Sequence, residues 1–224
     1  MSSVQVQASR LDRFAVLGLS LALLGPAAYG LAQPLLQARV SEVSAALLGL
    51  AWMWIVSAAV LLIAAREGGT LLRRVTGRRL TWRAALAAVA LGVLLSLLIP
   101  VLSVLAGRLL PGDGGVAQVA AQYPWWLMLL AVVTAAVTEE FLFRAYAFER
   151  LQALLGRAWV SFGVPLVCFS LVHVGSWSAA HVLGVVLPMG LILAGLYVRT
   201  RSLAFVTIVH FLIDAPLVAM AALS

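Results

Sequence analysis

Long apolar stretches, each close to the length of a bilayer crossing, follow one another along the chain. They predict spans at Phe14–Leu36, Ser44–Ala65, Ala84–Ala106, a fourth that starts at Trp125 and runs through Leu127–Val137, and then Pro165–Val174, Val182–Val198 and Leu203–Leu223. A transmembrane helix needs about 20 mostly apolar residues. The pattern therefore predicts about seven membrane-spanning helices, or eight if a re-entrant piece lies around Gly175–His181.

The fourth apolar stretch changes character at Thr138–Arg144, where charged residues occur before the run has crossed the full hydrocarbon thickness. From Ala145 to Leu155 charged and apolar positions form an amphipathic pattern. Such a pattern is typical of a helix in the membrane interface, and Gly156 is placed to end it. We therefore predict an interfacial helix here.

The composition supports this reading. The chain is 64% hydrophobic and 10% charged, whereas soluble domains are roughly 45–50% apolar and about 25% charged. The predicted fold class is all-α, a polytopic integral membrane helical bundle with an amphipathic interfacial helix. The single cysteine, Cys168, excludes an intrachain disulfide.

The positive charge is concentrated between apolar runs. All 15 basic residues are arginines, and the net charge is +7. One short connection holds Arg66, Arg73, Arg74, Arg78, Arg79 and Arg83. Arginine-rich connections face the cytoplasm and anionic headgroups. This indicates a cytoplasmic N-terminus and a lipid bilayer as partner, and it argues against nucleic-acid binding.

Six ionisable residues lie in or at the ends of the C-terminal spans: Glu139, Glu140, Arg144, His173, His210 and Asp214. Each charge within a bilayer costs about 2.5–3.5 kcal/mol on insertion scales, so such residues are functional candidates by default. Residues four apart share a helix face, which brings Glu140 beside Arg144, Phe169 beside His173, and His210 beside Asp214. Glu139 lies about 100° around the helix from Glu140 and is predicted to face the bundle interior without a local counter-charge.

A carboxylate beside imidazoles can remove a proton from water, which indicates hydrolysis. His210, held by Asp214, is the candidate donor to the developing oxyanion. His173 is expected to steady the water or to protonate the leaving amine.

Each group also has a structural alternative. Glu140 and Arg144 can form an ion pair that only fixes helix orientation, and His173 can be a core histidine bound to a backbone carbonyl. His210 with Asp214 can be a polar clasp between spans. His181 lies at a predicted span end and is excluded from the site as an interfacial histidine. Taken together, however, these groups favour one shared site.

Three short runs, Glu139–Arg144, Phe169–His173 and His210–Asp214, resemble the EExxxR, FxxxH and HxxxN/D motifs of the CAAX prenyl endopeptidase and bacteriocin-processing family. The resemblance covers about residues 125–216. It implies a metal-free intramembrane peptidase in which Glu139 activates water with help from His173 and the third motif stabilises the oxyanion. Asp214 stands where eukaryotic prenyl-protein processing members have asparagine, so it is expected to orient His210 instead.

The resemblance also implies the organisation and setting of the protein. Residues 1–124 would form an N-terminal three-span region and residues 125–224 the catalytic region of one integrated membrane domain. The substrate would be a peptide or protein, including lipid-modified or membrane-inserted ones, in a bacterial plasma membrane. No cofactor is implied, and zinc is the alternative because two histidines and a carboxylate can form a catalytic zinc set.

Two other functions remain open. A catalytically silent immunity or scaffold protein would keep the fold and bind a partner. A proton-linked transporter would use the same Glu, His and Asp residues as a relay.

The depths of His173 and His210 lead to one further prediction. A fifth span that started at Trp159 would carry His173 about 21 Å along its axis, against about 10 Å for His210 measured from Leu203. A span that started at Pro165 would bring His173 to a depth that matches that of His210. We therefore predict a helix break around Gly163–Pro165.

Overall fold

The computed structural model describes residues 3–67, 69–110, 122–175 and 177–224. They form eight helices: α1 (Ser3–Gln37), α2 (Glu42–Glu67), α3 (Gly69–Thr76), α4 (Trp82–Leu109), α5 (Trp125–Leu155), α6 (Ala158–Leu171), α7 (Ala179–Thr200) and α8 (Leu203–Leu223). No strand occurs in these ranges beyond one isolated bridge between Val174 and Trp177. The predicted all-α polytopic bundle is confirmed.

Six of the described helices are long and apolar enough to cross a membrane: α1, α2, α4, α5, α7 and α8. The last begins and ends at Leu203 and Leu223, as predicted. In contrast, α6 has 14 residues, a length of about 21 Å against roughly 30 Å of hydrocarbon. The predicted count of seven or eight spans is therefore not confirmed within the described ranges.

Helix α5 runs without interruption through the segment predicted to be an interfacial helix. It is α-helical over Trp125–Glu139, π-helical over Glu140–Ala147 and α-helical again over Phe148–Leu155. Gly156 ends it in the left-handed conformation, with φ of 62°. The predicted amphipathic helix is thus the last part of α5, and its charged side chains Glu149 and Arg150 pair with other helices.

Two ion pairs with buried carboxylates hold these last turns. Glu149 accepts from Arg201 at 2.6 Å and from the Tyr197 hydroxyl at 3.2 Å. Arg150 lies 3.1 Å from the fully buried carboxylate of Glu67 at the end of α2. The amphipathic pattern therefore reflects pairing inside the protein.

The predicted break in α6 is wrong, since the helix continues through Gly163–Pro165. A proline removes one N–H and disfavours the helix interior, but the chain can continue when the remaining bonds are kept. The helix ends at Leu171, so His173 lies in the turn that follows it.

The π segment of α5 lies at the centre of the core. Helices α1, α2, α3, α6, α7 and α8 all contact it. The first of them approaches closely at Gly18, where a Cβ atom would stand 1.9 Å from the Tyr146 hydroxyl oxygen. The segment with the first motif is thus surrounded by protein.

Candidate active site

The first motif lies where α5 changes from α-helix to π-helix. Glu139 is the last α-helical residue, and the π segment begins at Glu140. Seven of the eight residues of this segment are buried. The i to i+5 hydrogen bonding of a π-helix is rare and occurs frequently at functional sites.

The Glu140 carboxylate joins the first motif to the third. Its Oε1 atom lies 3.1 Å from Nη1 of Arg144, so the contact expected from helical spacing is present. The same oxygen accepts a hydrogen bond from Nδ1 of His210 at 2.8 Å. Helical spacing could not indicate this second contact, since the two residues are 70 positions apart.

His210 lies between two carboxylates. Its Nε2 atom is 3.3 Å from Oδ2 of Asp214, one turn further along α8, as the spacing predicts. The side chain is 1% exposed. Because both ring nitrogens face carboxylate oxygens, neither can donate to a bound substrate unless one of these contacts opens.

His173 is oriented by the second motif. Its Nδ1 atom lies 2.7 Å from the carbonyl oxygen of Phe169. A carbonyl oxygen only accepts, so Nδ1 donates and Nε2 of the neutral ring is left as an acceptor. The ring also packs on that of Phe169 at 4.9 Å between centroids.

Aromatic contacts join the second motif to the first. The Arg144 guanidinium stands 4.0 Å above the Phe169 ring, and Phe143 meets the same ring edge-on at 5.5 Å. Phe169 is fully buried. A single phenyl ring therefore supports both the arginine of the first motif and the histidine of the second.

Glu139 and His181 complete the surroundings of the site. Glu139 is half-buried and, in the described part of the chain, has no hydrogen-bond or ion-pair partner. His181, which the sequence argument excluded, stacks on Trp177 at 4.4 Å and lies within electrostatic range of His173 and Asp214. The sequence offered one signal for His181, because the chain has three histidines in all.

The described residues contain no group of three His, Cys, Asp or Glu side chains placed to hold a metal ion. The donor set that the zinc alternative requires is therefore not assembled in these ranges. His210 is already engaged by two carboxylates, and Nδ1 of His173 by a carbonyl group.

An apolar cavity of about 370 Å³ lies between α4, α5 and α8. Its walls include Val137, two residues before Glu139, and Phe211, which follows His210. Two of these helices, α5 and α8, therefore carry both ionisable groups of the site and apolar walls of this space.

Residues 121–216 match the family model described as type II CAAX prenyl endopeptidase Rce1-like. The match covers less than half of the chain and includes all three motifs, so the resemblance seen in the motifs is confirmed for this region. Comparison with curated proteins and with solved structures gives no match. At the family level, the match and the six apolar helices support an integral membrane protease of the CAAX type, a peptide hydrolase.

Proposed function

From this family-level assignment we propose that the protein is an intramembrane glutamic endopeptidase that hydrolyses a peptide bond without a metal ion. The observation that carries the proposal is the convergence of three motifs from three helices and their ends. Glu140 meets His210, and Arg144 meets Phe169, to which His173 is bound. Each contact taken singly also fits a structural role, such as the Glu140–Arg144 ion pair or a core histidine bound to a backbone carbonyl, and it is their concentration in one place that favours a shared site.

Glu139 is proposed as the general base. It takes a proton from water while the water oxygen bonds to the carbonyl carbon of the substrate and the carbonyl electron pair moves to oxygen. Collapse of this intermediate reforms the carbonyl, breaks the C–N bond and returns the proton to the leaving amine. Its half-buried position, free of any counter-charge among the described residues, supports this role.

His173 is proposed to steady the water and to assist proton transfer to the amine. The carbonyl of Phe169 fixes the tautomer, so that Nε2 is the nitrogen able to accept a proton. Arg144 and Phe169 act on this step as positioning residues.

His210 is proposed to stabilise the oxyanion, with Asp214 and Glu140 orienting its ring. In this assignment the ring turns from one of its carboxylate partners to the substrate oxygen as charge develops. The 3.3 Å contact with Asp214 is longer than the 2.8 Å contact with Glu140 and is the one proposed to open.

The proposed substrate is a peptide or protein with an apolar segment, including lipid-modified or membrane-inserted ones. The apolar cavity beside Val137 and Phe211 supports this class. By the positive-inside rule, the N-terminus is placed on the cytoplasmic side of a bacterial plasma membrane.

The test is the substitution Glu139→Gln in the full-length protein. Candidate substrates are found by comparing the membrane proteomes of cells that carry the parent protein and cells that carry the variant. New peptide N-termini that occur only with the parent protein mark candidate cleavage sites. On a synthetic peptide spanning such a site, we expect Glu139→Gln to lower the cleavage rate about 10²–10⁴-fold. The matched control is Glu42→Gln, because Glu42 is an exposed carboxylate in the first turn of α2.

Four outcomes contradict the proposal. Cleavage by Glu139→Gln at the parent rate excludes Glu139 as the base. Loss of parent activity with a zinc chelator, restored by zinc, assigns the reaction to a metal. A cellular phenotype that Glu139→Gln preserves identifies a binding or scaffold function, and Glu139-dependent flux in liposomes without proteolysis identifies a transporter.

A further inference from the structure

Two connections far apart in the sequence are joined at one end of the bundle. The Arg78 N–H donates to the carbonyl oxygen of Arg201 at 2.8 Å, and the Ser202 hydroxyl donates to the carbonyl oxygen of Arg78 at 3.3 Å. Gly77, with φ of +70°, approaches so closely that a Cβ atom would lie 2.8 Å from the Arg201 carbonyl oxygen. The α3–α4 and α7–α8 connections therefore form one surface.

This joined surface is strongly basic. Its exposed cationic side chains, on the two connections and the helix turns next to them, include Arg74, Arg78, Arg79, Arg83 and Arg199. The nearby acids Glu67 and Glu149 are buried and paired with Arg150 and Arg201. The exposed arginines are thus left without neutralisation by these two carboxylates.

The surface continues into a face of α4 that is suited to lipid. Trp82 is 68% exposed, and the Arg83 guanidinium lies 5.3 Å from the centre of its ring. Leu86 and Leu97 further along the helix are 60% and 68% exposed. Tryptophan marks the headgroup level of a membrane, and exposed leucines on a spanning helix contact acyl chains. The arginines therefore stand at the level of lipid phosphates.

We propose that the joined basic surface is a binding site for the headgroup of an anionic phospholipid. The guanidinium groups donate to the phosphate oxygens, and the exposed face of α4 contacts the acyl chains. The continuity of charge with a lipid-facing helix favours this ligand over a soluble anion or an acidic protein segment. The inference does not depend on the proposed peptidase activity.

The test uses the purified full-length protein in a nonionic detergent and compares dioctanoyl phosphatidylglycerol with dioctanoyl phosphatidylcholine. The test variant is Arg79→Gln with Arg83→Gln. The matched control is Arg39→Gln with Arg108→Gln, because these exposed arginines follow α1 and end α4 at the other end of the bundle. Both double variants lower the net charge equally.

Each arginine near an anionic membrane surface contributes about fivefold to lipid affinity. We therefore expect the test variant to bind the phosphatidylglycerol about 25-fold more weakly than the parent, and the control variant to bind like the parent. Equal losses in both variants, or equal affinity of the parent for the two lipids, would overturn the proposal.

A competition experiment with inorganic phosphate at constant ionic strength distinguishes a lipid ligand from a soluble anion. If inorganic phosphate does not displace the phosphatidylglycerol, the result supports a lipid site. Displacement at millimolar phosphate assigns the surface to a free anion and refutes the lipid assignment. This arm uses the parent protein and is unaffected by the folding of any variant.

Discussion

The buried carboxylate of Glu140 is the point at which a single change should have its largest effect on stability. Glu140 and Arg144 are 0% and 3% exposed, so water screens their interaction little. Removing one partner of a buried ion pair leaves an uncompensated charge and costs about 3–5 kcal/mol. We expect Glu140→Gln to lower the free energy of unfolding by about this amount.

The substitution isolates the charge of Arg144. A glutamine oxygen can still accept the hydrogen bond from Nδ1 of His210, which Glu140 now accepts at 2.8 Å. The guanidinium keeps its contact with the Phe169 ring at 4.0 Å. Neither of these contacts replaces the lost negative charge.

The assay is unfolding of the purified protein by sodium dodecyl sulfate in mixed micelles, followed by circular dichroism. The double variant Glu140→Gln with Arg144→Met removes the stranded cation as well. The double variant should lose less unfolding free energy than the two single variants lose in sum, by about 2 kcal/mol. The exposed control Glu42→Gln should stay within about 0.5 kcal/mol of the parent.

Two results would refute this reasoning. If Glu140→Gln costs less than about 1 kcal/mol, the Glu140–Arg144 pair does not behave as a buried ion pair. If the losses of the two single variants simply add, the two side chains are not coupled.

The remaining predictions concern the supports of the site. Phe169→Leu removes the ring beneath Arg144 and should cost about 2 kcal/mol of unfolding free energy or more, measured as above; an unchanged value would show that the stacking contributes nothing. Gly18→Ala places a methyl group 1.9 Å from the Tyr146 hydroxyl and should destabilise the protein by about 1–3 kcal/mol. Gly30→Ala in the same helix meets no atom within 4 Å and should stabilise the protein by about 0.5–1 kcal/mol, so similar effects at both glycines would contradict the packing explanation.

Contacts within one helix could be predicted because the helical repeat fixes them. The pairs Glu140–Arg144 and His210–Asp214 are present at 3.1 and 3.3 Å, four residues apart in each case. The bounds of α8 follow from a run of apolar residues after Ser202, whose hydroxyl accepts from the Phe205 N–H and caps the helix. Such features depend only on local sequence.

The π segment and the short length of α6 could not be predicted from the local sequence in this way. Whether a carbonyl pairs with the N–H four or five residues on depends on the packing around the turn, and Glu140–Ala147 are contacted by six other helices. The break expected at Gly163–Pro165 came from matching depths along straight spans. The structure instead ends α6 at Leu171 and carries His173 in the next turn.

By itself, the sequence determined that this is an all-α membrane protein, which residues its three motifs contain, and which side chains share a helix face. Only the tertiary structure decided that Glu140 meets His210, that Arg144 rests on Phe169, and that the last turns of α5 pair with Glu67 and Arg201. The physical reason is that lipid and protein interior are both apolar, so hydropathy shows where a helix crosses the membrane but not which neighbour each face meets.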